Sequence, residues 1–127
     1  MPNTTVAFFK DADGSIPAKV WMDNVVAKRD RRAVAKLRAR IRMLRSDGRS
    51  LRRPVADTLR DGIYELRAEF GGVNYRLLYF FIGSMAAVVS HGLTKEAKVP
   101  AHEIDLAVQR KALCESDPER YIYGGEI

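Results

Sequence analysis

The stretch from Ile63 to Lys98 constrains the fold more than any other part of the chain. It reads IYELRAEF, GG, VNYRLLYFFI, GS and MAAVVSHGLTKEAK, three apolar runs rich in β-branched and aromatic residues with Gly71-Gly72 and Gly83-Ser84 between them. Such pairs supply the positive φ that tight hairpin turns require, so an antiparallel meander is expected. Side chains alternate between the two faces of a strand. In the first run Tyr64, Leu66, Ala68 and Phe70 therefore share one face, and Glu65, Arg67 and Glu69 the other. The meander also carries spaced cations, Arg67, Arg76, Lys95 and Lys98, and reads as a platform that presents positive charge to a phosphate backbone.

The rest of the 127 residues supplies what such a sheet needs to bury one face, within a single domain of ordinary size. Residues 4–9 (TTVAFF) read as a short strand ended by the turn signal Asp11–Gly14. Ser15 as cap and Pro17 in the first turn mark a helix whose apolar face would be Val20, Trp21 and Val25. Residues 28–46 give the clearest helix, with Val34, Leu37, Ile41 and Leu44 at three- and four-residue spacing and Gly48 as the stop. Residues 49–62 read as a basic loop closed by Asp61-Gly62. Val99-Pro100 opens a last helix from Ala101 to about Cys114, with Ile104, Ala107 and Val108 inward. The order is β-α-α-β-β-β-α. This is an α+β domain over residues 1–116, with helices against one face of a twisted antiparallel sheet and a C-terminal tail over 117–127.

Charge is unevenly spread. Net charge is +6, but residues 28–60 hold thirteen Lys and Arg against Asp30, Asp47 and Asp57, which is +10 and leaves −4 for the remainder. A basic segment on a mildly acidic body points to an anionic partner, nucleic acid or ribosome, rather than to a solvated helix face. Some of the charge also serves the helix itself, since Arg38, Arg40, Arg42 and Arg45 crowd the end where cations complement its dipole. A single cysteine, Cys114, fits a reducing cytoplasm and a small apolar filler. No apolar run is long enough for a membrane span and no secretory signal is present, so the expected location is cytoplasmic.

Missing motifs narrow the chemistry. The chain has no Walker loop, GxGxxG, HExxH, cysteine pair or nucleophile elbow, so nucleotide hydrolysis, dinucleotide binding and zinc are unsupported, and no cofactor or metal is expected. Cations on a strand platform suit phosphate chemistry without metal. RNA cleavage needs the 2′-hydroxyl deprotonated, charge on the scissile phosphate stabilised and the leaving 5′-oxygen protonated. Arg and Lys supply the middle requirement, often the largest.

The blocks DGIYELRAEFGGVNYRLLYFF and VVSHGLTKEAKVPAHEI resemble the RelE/ParE toxin superfamily, specifically its HigB-like, phage-related branch. They pair a YELR strand with a YRLLY strand and follow with a His-Gly-x-x-Lys strand end leading to Lys, Pro and a helix. The resemblance implies the small microbial-ribonuclease-like toxin fold and a ribosome-dependent messenger RNA endoribonuclease. It also implies a cognate antitoxin, commonly with a helix-turn-helix domain, that holds the toxin inactive. The superfamily's basic strand residues map onto Arg67 and Arg76, and its basic strand end and following loop onto Lys95 and Lys98. Cleaving relatives often place a C-terminal tyrosine or histidine beside the phosphate, and the tail here, with Tyr121 and Tyr123, does not match that pattern.

Each candidate has a plainer alternative. Arg67, between Glu65 and Glu69, could form a cross-strand salt bridge. Arg76 lies in a run that is otherwise almost wholly apolar and must find a partner or border a cleft. His91 is a candidate catalytic base or a hydrogen-bonded core residue, and strand parity groups it with Val89, Leu93 and Lys95. Tyr75 could stack on a base or fill the core. Arg38, Arg42, Arg45, Arg49, Arg52 and Arg53 are the candidates for gripping ribosomal RNA. Two other functions compete with messenger RNA cleavage: a ParE-like, non-nucleolytic block of DNA gyrase, and a phage-derived accessory protein that binds nucleic acid or a replication complex.

Overall fold

The computed structural model describes residues 4–84, 86–94 and 97–125. Its organising element is one six-stranded sheet in the order β2-β3-β4-β5-β1-β6. The meander is as expected. Strands β3 (Tyr64–Phe70), β4 (Val73–Ile82) and β5 (Ala86–Thr94) pair antiparallel, and Phe70 lies opposite Val73 across Gly71 and Gly72. Both glycines have positive φ, 59° and 79°, the values a two-residue primed turn requires. Three further strands were not all foreseen. β1 (Thr5–Phe9) runs parallel to β5, β2 (Ala56–Thr58) forms inside the basic loop and pairs with β3, and β6 (Ile122–Tyr123) pairs with β1.

Helices cover both faces of the sheet, not one. On one face lie α1 (Pro17–Trp21), a π-helical turn (Met22–Val26), α2 (Ala27–Arg29) and α3 (Arg31–Asp47). Leu37, Ile41 and Leu44 of α3 bury against Leu66, Ala68, Leu77 and Tyr79. On the other face α4 (Ala101–Ser116) packs Ile104, Ala107 and Cys114 against Leu78, Phe80 and Val88. A central strand covered on both sides should be apolar on both, and β4 is: Tyr75, Leu77 and Tyr79 face α3, Leu78 and Phe80 face α4.

Local chemistry explains the helix boundaries. Asp30, extended at φ −165°, caps α3 by accepting from the Arg32 N–H at 2.9 Å, so the helix begins three residues later than its apolar periodicity suggests. Ser15 does not cap α1; Ile16 holds that position and Pro17 opens the helix. The inward residues of this segment are Ala18, Met22 and Val26, at i, i+4 and i+8, whereas Val20 and Val25 are about half exposed. Trp21 lies across Gly92 of β5 and meets Tyr75 edge-on at 6.2 Å. The tail is part of the fold as far as residue 125. Asp117 caps a short α5 (Pro118–Tyr121), Tyr121 stacks on Phe9 at 6.1 Å, and β6 extends the sheet.

Candidate functional site: an arginine pair on a buried carboxylate

Strand register sets the site. Arg67 of β3 lies directly opposite Arg76 of β4, and alternation points both to the face that α4 covers only in part. Like charges facing each other across a ladder repel. Glu65, two residues before Arg67 on the same face, offsets that repulsion. Its carboxylate is 1 % exposed, accepts from Nε of Arg67, and takes Nη1 of Arg76 on both oxygens at 3.1 Å. Asp57 of the edge strand β2 accepts from Nη2 of Arg67 at 3.2 Å, and Arg53 stands 3.7 Å from the same carboxylate. From the opposite layer Arg40 of α3 reaches round the sheet edge to donate to the Arg67 backbone carbonyl at 3.1 Å.

The pair is therefore fixed rather than free. Arg76 is 14 % exposed and Arg67 35 % exposed. Among the described residues, no hydrogen bond engages Nε or Nη2 of Arg76, or Nη1 of Arg67. Arg67 and Arg76 border an open hollow of about 340 Å³, together with Asp57, Leu59, Glu65, Ala97, Lys98 and Val99. They also border a second hollow of about 270 Å³, lined by Arg40, Pro54, Ala68, Glu69, Asn74 and Tyr75. The arginine pair is the ridge between the two.

Of the four strand and loop cations expected to act together, the structure brings Arg67, Arg76 and Lys98 to one hollow; Lys95 lies outside the described residues. His91 is elsewhere. A β-bulge between Leu78 and Tyr79 pairs Leu78 with His91 and Tyr79 with Val89, so the parity of β5 changes at Ser90. His91 consequently shares a face with Leu93 but not with Val89, and it lies under α4 at 7 % exposure. The Ser90 hydroxyl pairs with Nδ1 at 2.7 Å and Glu103 Oε1 with Nε2 at 3.0 Å. Burial, aided by the charge of Arg110, holds the imidazole below its ordinary pKa against the opposing pull of Glu103. The neutral form, with Ser90 donating to Nδ1 and Nε2–H donating to Glu103, uses both ring nitrogens. Tyr75 is 2 % exposed and packed against Trp21, within the core.

The basic patch divides into two surfaces. Arg38, Arg42 and Arg45 line a shallow depression with Ile41 along α3, on the layer opposite the arginine pair. Arg49, Arg52 and Arg53 border a larger hollow of about 520 Å³ with Ala56, Asp57, Thr58 and Tyr64 at the β2 edge. Arg49 is partly committed, since its guanidinium lies 4.2 Å from the centre of the Phe81 ring and donates to the Gly83 carbonyl at 3.0 Å. Asp57, in a segment that reads as loop, is the participant the sequence does not reveal, whereas the pairing of Glu65 with arginines is as expected.

A family model for the phage derived protein Gp49-like family matches residues 25–112. The chain belongs to that family. Gp49-like proteins are a RelE/toxin-like family. The match runs from the π-helical turn into α4, so it contains the whole arginine cluster and the basic helix while leaving out β1 and the C-terminal segment. A comparison with curated proteins gives no match. No helix among the described residues of this Gp49-like chain is long and apolar enough to cross a membrane.

Proposed function

We propose that this Gp49-like protein is the toxin of a toxin–antitoxin pair and cleaves messenger RNA on the ribosome. The observation that carries the reading is the convergence of Arg67, Arg76 and Lys98 on one open hollow, with the two arginines pre-set by a buried carboxylate. Preset donors stabilise charge that develops on a phosphate at no reorganisation cost. In the proposed reaction the substrate's 2′-oxygen forms a bond to phosphorus and the bond from phosphorus to the 5′-oxygen breaks. The products are a 2′,3′-cyclic phosphate and a 5′-hydroxyl. Arg67 and Arg76 hold the non-bridging oxygens, the Asp57 carboxylate lining the hollow takes the 2′-hydroxyl proton, and the Lys98 ammonium donates to the departing 5′-oxygen.

The arginines of α3 and the β2 edge would then bind ribosomal RNA, which makes association steeply salt-dependent. An antitoxin would cover the cationic hollow with an acidic or amphipathic segment, as charge complementarity requires. Induced expression should arrest growth, with cuts inside translated messages visible by primer extension, and Arg76→Ala should restore growth. Arrest with uncut messages discards the nuclease reading. One observation favours a non-nucleolytic block of gyrase instead: Glu65 and Asp57 already neutralise much of the arginine pair. That reading predicts toxicity that survives Arg76→Ala and supercoiling inhibited in vitro.

A further inference from the structure

Beside its arginines the second hollow carries groups that phosphate binding does not use, Pro54, Glu69 and Asn74. β2 pairs with β3 only as far as Leu66, opposite Ala56, and the Arg67 N–H is taken by the Val55 carbonyl at 2.7 Å. Beyond that point no described strand covers the outer edge of β3. Pro54 and Arg40 stand over the gap, and Glu69 and Asn74, directly opposed across β3 and β4, line it. Alternation puts Glu69 and Asn74 on the same sheet face as Arg67 and Arg76, two residues further along the ladder, about 7 Å at the usual strand rise.

The chemistry of this lining is that of a base-reading site. Asn74 offers an amide that both donates and accepts, Glu69 an exposed carboxylate that accepts, and Pro54 an apolar wall. A few placed polar groups in a partly apolar concavity are what fix a small planar ligand. On the far side of the ridge the first hollow offers Leu59, Ala97 and Val99 as apolar wall. A phosphate on the ridge would carry one nucleoside into each hollow. That is possible only for a strand whose bases are unstacked, since a duplex keeps its bases turned inward.

We propose that the hollow of Arg40, Pro54, Glu69 and Asn74 is a nucleobase subsite for the nucleotide next to the phosphate on Arg67 and Arg76, and that the ligand is single-stranded RNA. The proposal rests on the RNA-directed reading above for its choice of ligand and adds which residues read sequence. Asn74 and Glu69 set base preference, whereas the arginine pair sets affinity for every sequence alike.

The test is fluorescence anisotropy of the full chain with labelled single-stranded hexamers of A, C, G or U, and with an RNA duplex as competitor. Wild type should rank the four hexamers unequally, and the duplex should compete poorly. Asn74→Ala and Glu69→Ala, made separately because both positions border an exposed turn, should each bring the four affinities closer. A good polar pair to a base is worth about 1–3 kcal/mol, so a preference of roughly 5- to 150-fold should shrink towards equality. Arg76→Ala should weaken all four hexamers by a similar factor. Circular dichroism confirms that each variant is folded, with Asn74→Ser as a second, milder probe. Preferences unchanged in folded Asn74 and Glu69 variants overturn the subsite, as does a duplex that binds as well as single strands, or the absence of any RNA binding. Failure of the nuclease reading is separable: uncut messages in arrested cells refute cleavage whatever the hexamers do, and intact cleavage beside unchanged base preference refutes only the subsite.

Discussion

Replacing Glu65 with glutamine tests the frame of the site directly. The side chain keeps its shape and loses its charge, leaving Arg67 and Arg76 opposed across the ladder with no buried anion between them. The Arg76 arm carries most of the effect, because Glu65 is 1 % exposed and Arg76 14 % exposed, so water cannot replace what is lost. The Arg67 arm counts for less, since Arg67 is 35 % exposed and retains Asp57 at 3.2 Å. Removing one partner of a buried pair costs about 3–5 kcal/mol, and the exposed arm places Glu65→Gln at about 3 kcal/mol. At roughly 4 °C per kcal/mol for a chain of this size, the midpoint of thermal unfolding should fall by about 12 °C. Circular dichroism melts in low and high salt measure it. The double variant Glu65→Leu with Arg76→Leu should recover most of the loss, because a buried pair replaced whole by apolar side chains is often neutral. A Glu65→Gln midpoint within about 2 °C of wild type, or a double variant less stable than the single one, would refute the idea that Glu65 holds the arginines.

Three further outcomes follow from the packing. Gly92→Ala should destabilise by about 1–3 kcal/mol, because a Cβ at that position runs into the Trp21 ring; a denaturant titration followed by tryptophan fluorescence reads both the loss and the displaced indole. Stability should fall as pH drops below about 6.5, because His91 binds its proton more readily unfolded than folded; the loss accrues down to the depressed folded pKa, and His91→Gln should flatten the urea midpoint over pH 7.5–5. Burial pushes the Cys114 thiol up to about 11, so alkylation by iodoacetamide at neutral pH should be slow in the native protein and fast in denaturant.

How far each layer was legible depended on whether its information was local. Gly71-Gly72 fixes a hairpin by dihedral angle alone, and the alternation around Arg67 gives its face without knowledge of a partner. The α+β class followed from those runs. The parallel β1–β5 pairing did not, because nothing in TTVAFF reports which strand will lie beside it. The second helical layer was equally hidden: Leu78 and Phe80 alternate with Leu77 and Tyr79 in a run that is apolar throughout, and such a run is compatible with one covered face or two. The bulge at Ser90 left no trace in composition, yet it decides which face His91 occupies.

The site shows the same division in sharper form. Arg76 could be singled out because a cation in an apolar strand must be answered by something, but the sequence does not say by what. Register supplies the answer. Once Arg67 faces Arg76, a third residue on that sheet face must carry negative charge, and the strand offers Glu65 on one side and Glu69 on the other. The structure buries Glu65 and leaves Glu69 exposed, because β2 and the segment before α4 close over the Glu65 end while β2 stops short of the Glu69 end. One acid therefore becomes a fixed anchor and the other remains available to a ligand. The asymmetry comes from where a three-residue edge strand ends, so lengthening β2 pairing towards Glu69 should close the second hollow while leaving the arginine anchor in place.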